Sequence, residues 1–217
     1  VRLVGDLMGK HPLDLEIRKI VTDSDLDGVV TAAILLRWWK KAEVEFGHPG
    51  EMRAGLLDNK IDSWTAVCDL PSHPDCGLCI DHHQSNKPQE TAGESPVVIW
   101  EDSPSAARIA FDLVSEKVDL TDLENLLIWV DKFDSGQITR EEYLSESPVL
   151  WLSWAIDNGK QTAIQVMRSL RDGLGVEKIL ADSVISEVVE KKRREREALR
   201  RAIEERMIVH NRMAVVR

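Results

Sequence analysis

Apolar positions in this chain follow two different rhythms. Up to about residue 101 they come in short β-branched runs broken by turn residues, and beyond residue 105 they recur at helical spacing. Residues 17–22, 43–47, 65–70, 77–81 and 97–101 read as strands bounded by Pro, Gly or Asp. Residues 29–41, apolar on most sides, predict a helix packed against the sheet. Residues 105–117 predict another, opened by the start signal Ser103-Pro104-Ser105. Strands alternating with helices predict the α/β class: a parallel β-sheet flanked by helices on both faces. A helical segment follows, with helices expected over 122–133, 149–157, 161–171 and 176–206. The last of these reads as one long helix. Its apolar positions Ile185, Val188 and Val189 are separated from Leu199, Ala202 and Ile203 by the almost wholly charged stretch Glu190 to Glu197, the pattern of a solvated face. After it, Ala214-Val215-Val216-Arg217 looks like the start of a strand. The expected division is a sheet-based domain over residues 1–175 and a long charged connector helix over residues 176–217.

A chain of 217 residues can hold one such domain and an appended element. No stretch reads as a signal peptide or a membrane span, since the apolar run Val29 to Trp39 is short and ends in Lys40 and Lys41. Three clustered cysteines, Cys68, Cys76 and Cys79, do not make a disulfide framework, so a cytoplasmic protein is expected. The net charge of −10 argues against a broad electropositive surface for duplex nucleic acid. It leaves a phosphate substrate open. Carboxylates gathered to hold divalent cations count toward that total, and bound metal reverses the local field.

Such carboxylates are present. Asp23-Ser24-Asp25-Leu26-Asp27-Gly28 lies where the first strand hands over to the first helix, on the side of an open α/β sheet where ligands bind. Three carboxylates at alternate positions repel one another unless a cation neutralises them, and hard divalent ions favour such oxygen ligands. Taken alone the loop reads equally well as an acidic helix cap. Two more strand ends add to it: Val67-Cys68-Asp69, and Ile80-Asp81-His82-His83. Carboxylates with imidazole suit Mn²⁺, Mg²⁺ or Co²⁺ better than a structural zinc.

These three motifs, in this order, resemble those of the DHH superfamily of phosphoesterases, and Ser105-Ala106-Ala107 resembles a further family feature. The resemblance covers roughly the first 140 residues. It implies a catalytic centre of two Mn²⁺ ions, with Mg²⁺ or Co²⁺ as substitutes. It further implies that Asp25 and Asp27 each hold one ion, Asp69 bridges both, His82 completes one site, His83 faces the substrate phosphate, and Asp81 orients the motif from behind. Asp23 stands near where many members have a histidine, and is expected to replace it as a ligand. The family's fourth motif is an Asp after a helix. Here both Asp131 and Asp134 are candidates, with Asp134-Ser135-Gly136 the closer match. Most family phosphodiesterases carry a C-terminal substrate domain with a Gly-Gly-Gly-His-type motif, which this sequence lacks. The expectation is therefore that residues 176–217 lead to a domain outside the chain, or that the domain works with a partner or as a homodimer.

The implied reaction is hydrolysis of a phosphoester in a small nucleotide or short single-stranded oligonucleotide by metal-activated water, the chemistry of a hydrolase and, for the oligonucleotide, of a nuclease. Two alternatives stay open at this point: a manganese-type inorganic pyrophosphatase, and a metal- or nucleotide-binding regulatory module without turnover. Cys76-Gly77-Leu78-Cys79, with Cys68 and His73 nearby, has metal-knuckle spacing but reads better as packed, reduced thiols, because Cys79 falls within a strand. Trp38, Trp39, Trp129, Trp151 and Trp154 lie mostly on apolar helical faces and are expected to pack in the core rather than to stack bases. His11, His48 and His210 are read as surface or satisfied residues.

Overall fold

The computed structural model describes residues 2–4, 11–88, 96–210 and 212–216. Strands β1 (Arg2–Val4), β2 (Lys19–Asp23), β3 (Glu43–Gly47), β4 (Thr65–Cys68), β5 (Leu78–Asp81) and β6 (Val97–Trp100) form one sheet in the order β1-β6-β5-β4-β2-β3. Five of them run parallel, and β1 joins the β6 edge antiparallel. The order reverses between β2 and β4. From β2, helix α1 (Leu26–Trp38) leads outward to β3, and the chain then returns past β2 to β4. A crevice opens at such a switch point, beyond the carboxyl ends of the strands.

Inward residues of β2, β4, β5 and β6 are almost wholly excluded from water on both faces, as expected of central parallel strands. One face, with Ile20, Ala66, Cys68 and Ile80, packs against α1, α3 (Ala106–Ser115), α4 (Glu124–Asp134) and α7 (Lys160–Arg171). The other face, with Val21, Val67 and Cys79, is closed by Met52 of the short α2 (Pro49–Arg53) and by Leu57, Ile61, Leu70 and Cys76. All three cysteines are free and buried, divided between the two layers. His11 and His48 cap short helical turns through Nδ1, each accepting a backbone N–H. Trp38 and Trp39 donate their indole N–H groups to the Leu13 and Leu15 carbonyls and pack into the same layer as α1.

Helices α5 (Arg140–Leu144) and α6 (Pro148–Ile156) complete the bundle, followed by α8 (Val176–Leu180) and α9 (Ser183–Arg206). The single helix expected over 176–206 is therefore two. Asp182 breaks it, because its carboxylate accepts the N–H groups of Val184 and Ile185 and starts a new helix where apolar spacing alone would run through. Ile179, Ile185 and Val189 are buried against the bundle. The charged stretch that follows is exposed, but not everywhere free. Arg193 lies 4.4 Å from the Trp151 ring centre, and Arg196 lies 4.6 Å from that of Trp154. Long basic stems here cover aromatic surface that would otherwise meet water. Beyond α9, β7 (Met207–His210) and β8 (Met213–Val216) form a separate antiparallel hairpin.

Among the described residues, no helix is long and apolar enough to cross a membrane.

Candidate metal centre

The loop after β2 folds back on itself for a steric reason. Asp25 is the N-cap of α1, with its carboxylate accepting the Gly28 N–H at 2.9 Å, so the helix begins at Leu26 rather than at residue 29. Gly28 presses against the strand end: a Cβ there would sit 2.1 Å from the Asp23 carbonyl oxygen and 2.7 Å from its carbon, both backbone atoms that cannot swing away. Gly28→Ala is expected to destabilise the protein by about 1–3 kcal/mol or more. Urea denaturation checks this; an unchanged midpoint would show that the loop yields.

Asp27, the second residue of α1, is 2% exposed. Its carboxylate is held by the neighbouring helix on the same face of the sheet: Oδ2 accepts the Ala106 N–H at 2.8 Å and Oδ1 the Ala107 N–H at 2.7 Å. Those amides are the first of α3, whose N-cap is Ser105. A helix N-terminus is a favourable place for an anion.

Asp69 ends β4 two residues before the expected strand end, because its backbone turns into the left-handed region with φ 55°. Asp tolerates that region better than most residues, yet it still costs energy, and such strain gathers at functional sites. The turn aims a 2%-exposed carboxylate at the crevice. From β5 come three consecutive side chains. Asp81 stays behind: it accepts the backbone N–H groups of His82 and His83, pairs with His83 Nδ1 at 2.9 Å, and takes the Asn86 amide at 2.6 Å. His82 Nδ1 donates to the Ser103 carbonyl at 3.1 Å, which leaves Nε2 as the acceptor nitrogen of the neutral ring. Nε2 faces Asp134 Oδ2 at 3.1 Å, Asp27 Oδ2 at 3.7 Å and Asp69 Oδ1 at 3.7 Å.

The donor set tests itself. His82 Nε2 and Asp69 Oδ1 are buried without a hydrogen-bond partner, among only three such side-chain atoms in the described residues. Three carboxylates around one imidazole nitrogen is an unfavourable arrangement for a protein alone and a fitting one for a divalent cation. Two ligand groups recur here, Asp27-His82-Asp134 and Asp69-His82-His83.

Electrostatics reflect the crowding. Burial, then the Asp134 and Asp25 charges, pushes Asp27 up to about 7. Burial and Asp27 hold Asp69 well above the usual carboxylate range. Asp25 is open to the crevice but ringed by protein, and lost hydration together with the Asp23 and Asp134 charges raises it to about 6. For His82, burial pulls downward, but the Asp134, Asp69 and Asp27 carboxylates facing Nε2 prevail and raise it to about 11. His83, still 44% exposed, is raised mainly by its bond to Asp81.

Asp27, Asp69, His82, His83 and Asp134 are thus brought together. Asp23 and Asp25 are next to them but not within the same ligand groups. They line an adjoining cavity of about 380 Å³ with Ser24, His48 and Asp157. Asp23 turns its carboxylate onto the Ser24 N–H at 2.6 Å, and burial raises its pKa. A narrower space of about 120 Å³ joins Asp25, Asp27 and Asp134 to Ser153 and Asp157. Asp131 turns away from the crevice toward Ser105 and Arg108. Sequence reasoning missed Asp157, which has no motif around it, and the Ser103 carbonyl, a backbone group that no residue type announces.

The chain matches no family model and no curated protein sequence. Among solved structures it is similar to the pGpG-specific phosphodiesterase PggH from Vibrio cholerae. The TM-score is 0.73 at 25% sequence identity, and the match covers 91% of this chain and 67% of that one. The fold is a phosphoesterase fold. The match takes in nearly all of the chain, with the parallel sheet and helices that follow it.

Proposed function

We propose that this chain carries the catalytic centre of a divalent-metal-dependent phosphoesterase of the DHH superfamily, acting on a small nucleotide or short single-stranded oligonucleotide. One observation carries the reading: Asp27, Asp69 and Asp134 converge on the unpaired Nε2 of His82, on a fold shared with a dinucleotide phosphodiesterase. In this reading Asp27, His82, Asp134 and Asp69 hold one ion. Asp23 and Asp25, beside the crevice, would help to hold the other together with Asp69. Mn²⁺ fits the mixed carboxylate and imidazole set, with Mg²⁺ or Co²⁺ as substitutes. Such ions supply an activated water nucleophile and neutralise charge on the phosphoryl oxygens.

The protein's own groups do the rest. Asp81 fixes both histidines through the backbone and through His83 Nδ1. The ring of His83 is thereby held with its other nitrogen available, and its raised pKa favours the cationic form that a phosphate oxygen would meet.

The test is turnover of a 5′-phosphorylated dinucleotide, longer single strands and inorganic pyrophosphate, with Mn²⁺ or with EDTA. Mn²⁺-dependent cleavage of the dinucleotide is expected. Undiminished cleavage by metal-free protein, or cleavage of pyrophosphate alone, would overturn the reading.

A further inference from the structure

Asp131 sits one turn before Asp134 on α4, and the metal centre described above makes no use of it. Its carboxylate is nevertheless fully engaged. Oδ1 accepts the Ser105 hydroxyl at 2.7 Å, and Oδ2 accepts both Nε, at 3.0 Å, and Nη2 of Arg108. Ser105 is entirely buried, and its Oγ also accepts the Arg108 N–H at 3.0 Å as the cap of α3. The next two amides are those that hold both oxygens of Asp27. Two residues before Ser105, the Ser103 carbonyl takes the Nδ1 proton of His82, and the Ser103 hydroxyl donates to the Ser105 carbonyl at 3.1 Å. Residues 103–107 therefore orient two ligands of one centre, and α4 carries the third.

We propose that Asp131 and Arg108 are positioning residues. They clamp the start of α3 to α4, so that the Ala106 and Ala107 amides keep the Asp27 carboxylate in register with His82 and Asp134. A carboxylate that takes two N–H groups of one planar guanidinium on one oxygen and a buried hydroxyl on the other is held in direction, which suits it to fixing one element against another. The charge of Arg108 is spent on Asp131 and needs no substrate to explain it. The clamp deepens the proposed function, resting on the assignment of Asp27, His82 and Asp134 as metal ligands.

Two variants separate the clamp from general stability. Arg108→Met keeps the stem and removes the fork. Asp131→Asn keeps an acceptor for Ser105 and removes the charge. In metal-free protein, amide hydrogen exchange at Ala106 and Ala107 is expected to speed up about tenfold or more in both variants, with Ala66 and Val67 of β4 unchanged. Mn²⁺ affinity by titration should fall roughly 10–100-fold, as it does when partners behind a metal ligand are lost. Arg171→Met, which breaks an exposed guanidinium–carboxylate pair with Asp172 at the end of α7, away from the crevice, should behave as wild type. Unchanged exchange at the two alanines, or an equal rise across the sheet, would overturn the proposal. If wild-type protein bound no Mn²⁺, the proposed function would fall, and the exchange data alone would still decide the clamp.

Discussion

Asp69→Asn is expected to remove nearly all metal-dependent hydrolysis while leaving the fold in place. Asn is close to isosteric and also accepts the left-handed backbone found at this position, where φ is 55°. What it lacks is the negative charge on an oxygen that at present has no partner. In the proposed arrangement that carboxylate serves both ions, so its loss should disturb both. The loss of activity should exceed the roughly 10–100-fold typical of partners behind a ligand. Asp27→Asn should weaken mainly the centre shared with His82 and Asp134, and Asp23→Asn mainly the other. Asp69→Ala adds a backbone cost of roughly 1–2 kcal/mol, because Ala is poorly suited to that conformation. The measurement is turnover at matched Mn²⁺ occupancy, with circular dichroism to confirm folding. Wild-type turnover in Asp69→Asn would remove Asp69 from the centre.

The second large effect is on pH. Asp27 is raised from 3.8 to about 7 in the folded protein. A raised carboxylate contributes stability below its unfolded value, and that contribution is lost as pH rises through the folded one. His82, raised to about 11, has the same sign: its contribution is full below its unfolded value of 6.5 and fades only toward the folded one. The metal-free protein should therefore lose stability from about pH 4 to pH 7 as Asp27 is forced to ionise. Ligand binding requires the opposite protonation state, ionised carboxylates and a neutral imidazole, so metal uptake must expel protons. Saturating Mn²⁺ should raise Tm far more at pH 8 than at pH 5, and calorimetry in buffers of different ionisation enthalpy should register proton release. A Tm increment that is flat with pH, or larger at pH 5, would contradict the linkage.

The fold was legible where local pattern and tertiary context agree. The edge strand β3 occupies the expected residues, and the central strands shift by only a residue or two, because runs such as Val97 to Trp100 are buried on both faces and have no alternative register to hide in. Errors fell where a single polar side chain overrides the pattern. Asp25 starts α1 early, Asp182 cuts the last helix in two, and Asp69 ends β4 by turning rather than by composition. The short α2 and α5 gave too little periodicity to register. At the candidate site, the convergence of Asp27, Asp69 and His82 could be expected from their positions at or just after strand ends. Asp131 and Asp134 could not be separated, since residues three apart face alike on a helix. Their roles diverge only because Arg108 and Ser105, more than twenty residues earlier, meet one of them and not the other.

The buried sulfurs have a practical consequence. Burial pushes the Cys76 thiol up to about 11, and those of Cys68 and Cys79 well above their ordinary range. A thiol-directed reagent cannot meet them until the sheet opens. Cys68 adjoins Asp69, and Cys79 stands two residues before Asp81 in the strand that delivers both histidines. Alkylation of the native protein should therefore act as an internal stopwatch for the breathing of those two strands. A slower clock in the presence of Mn²⁺ would measure how firmly the ion laces them together.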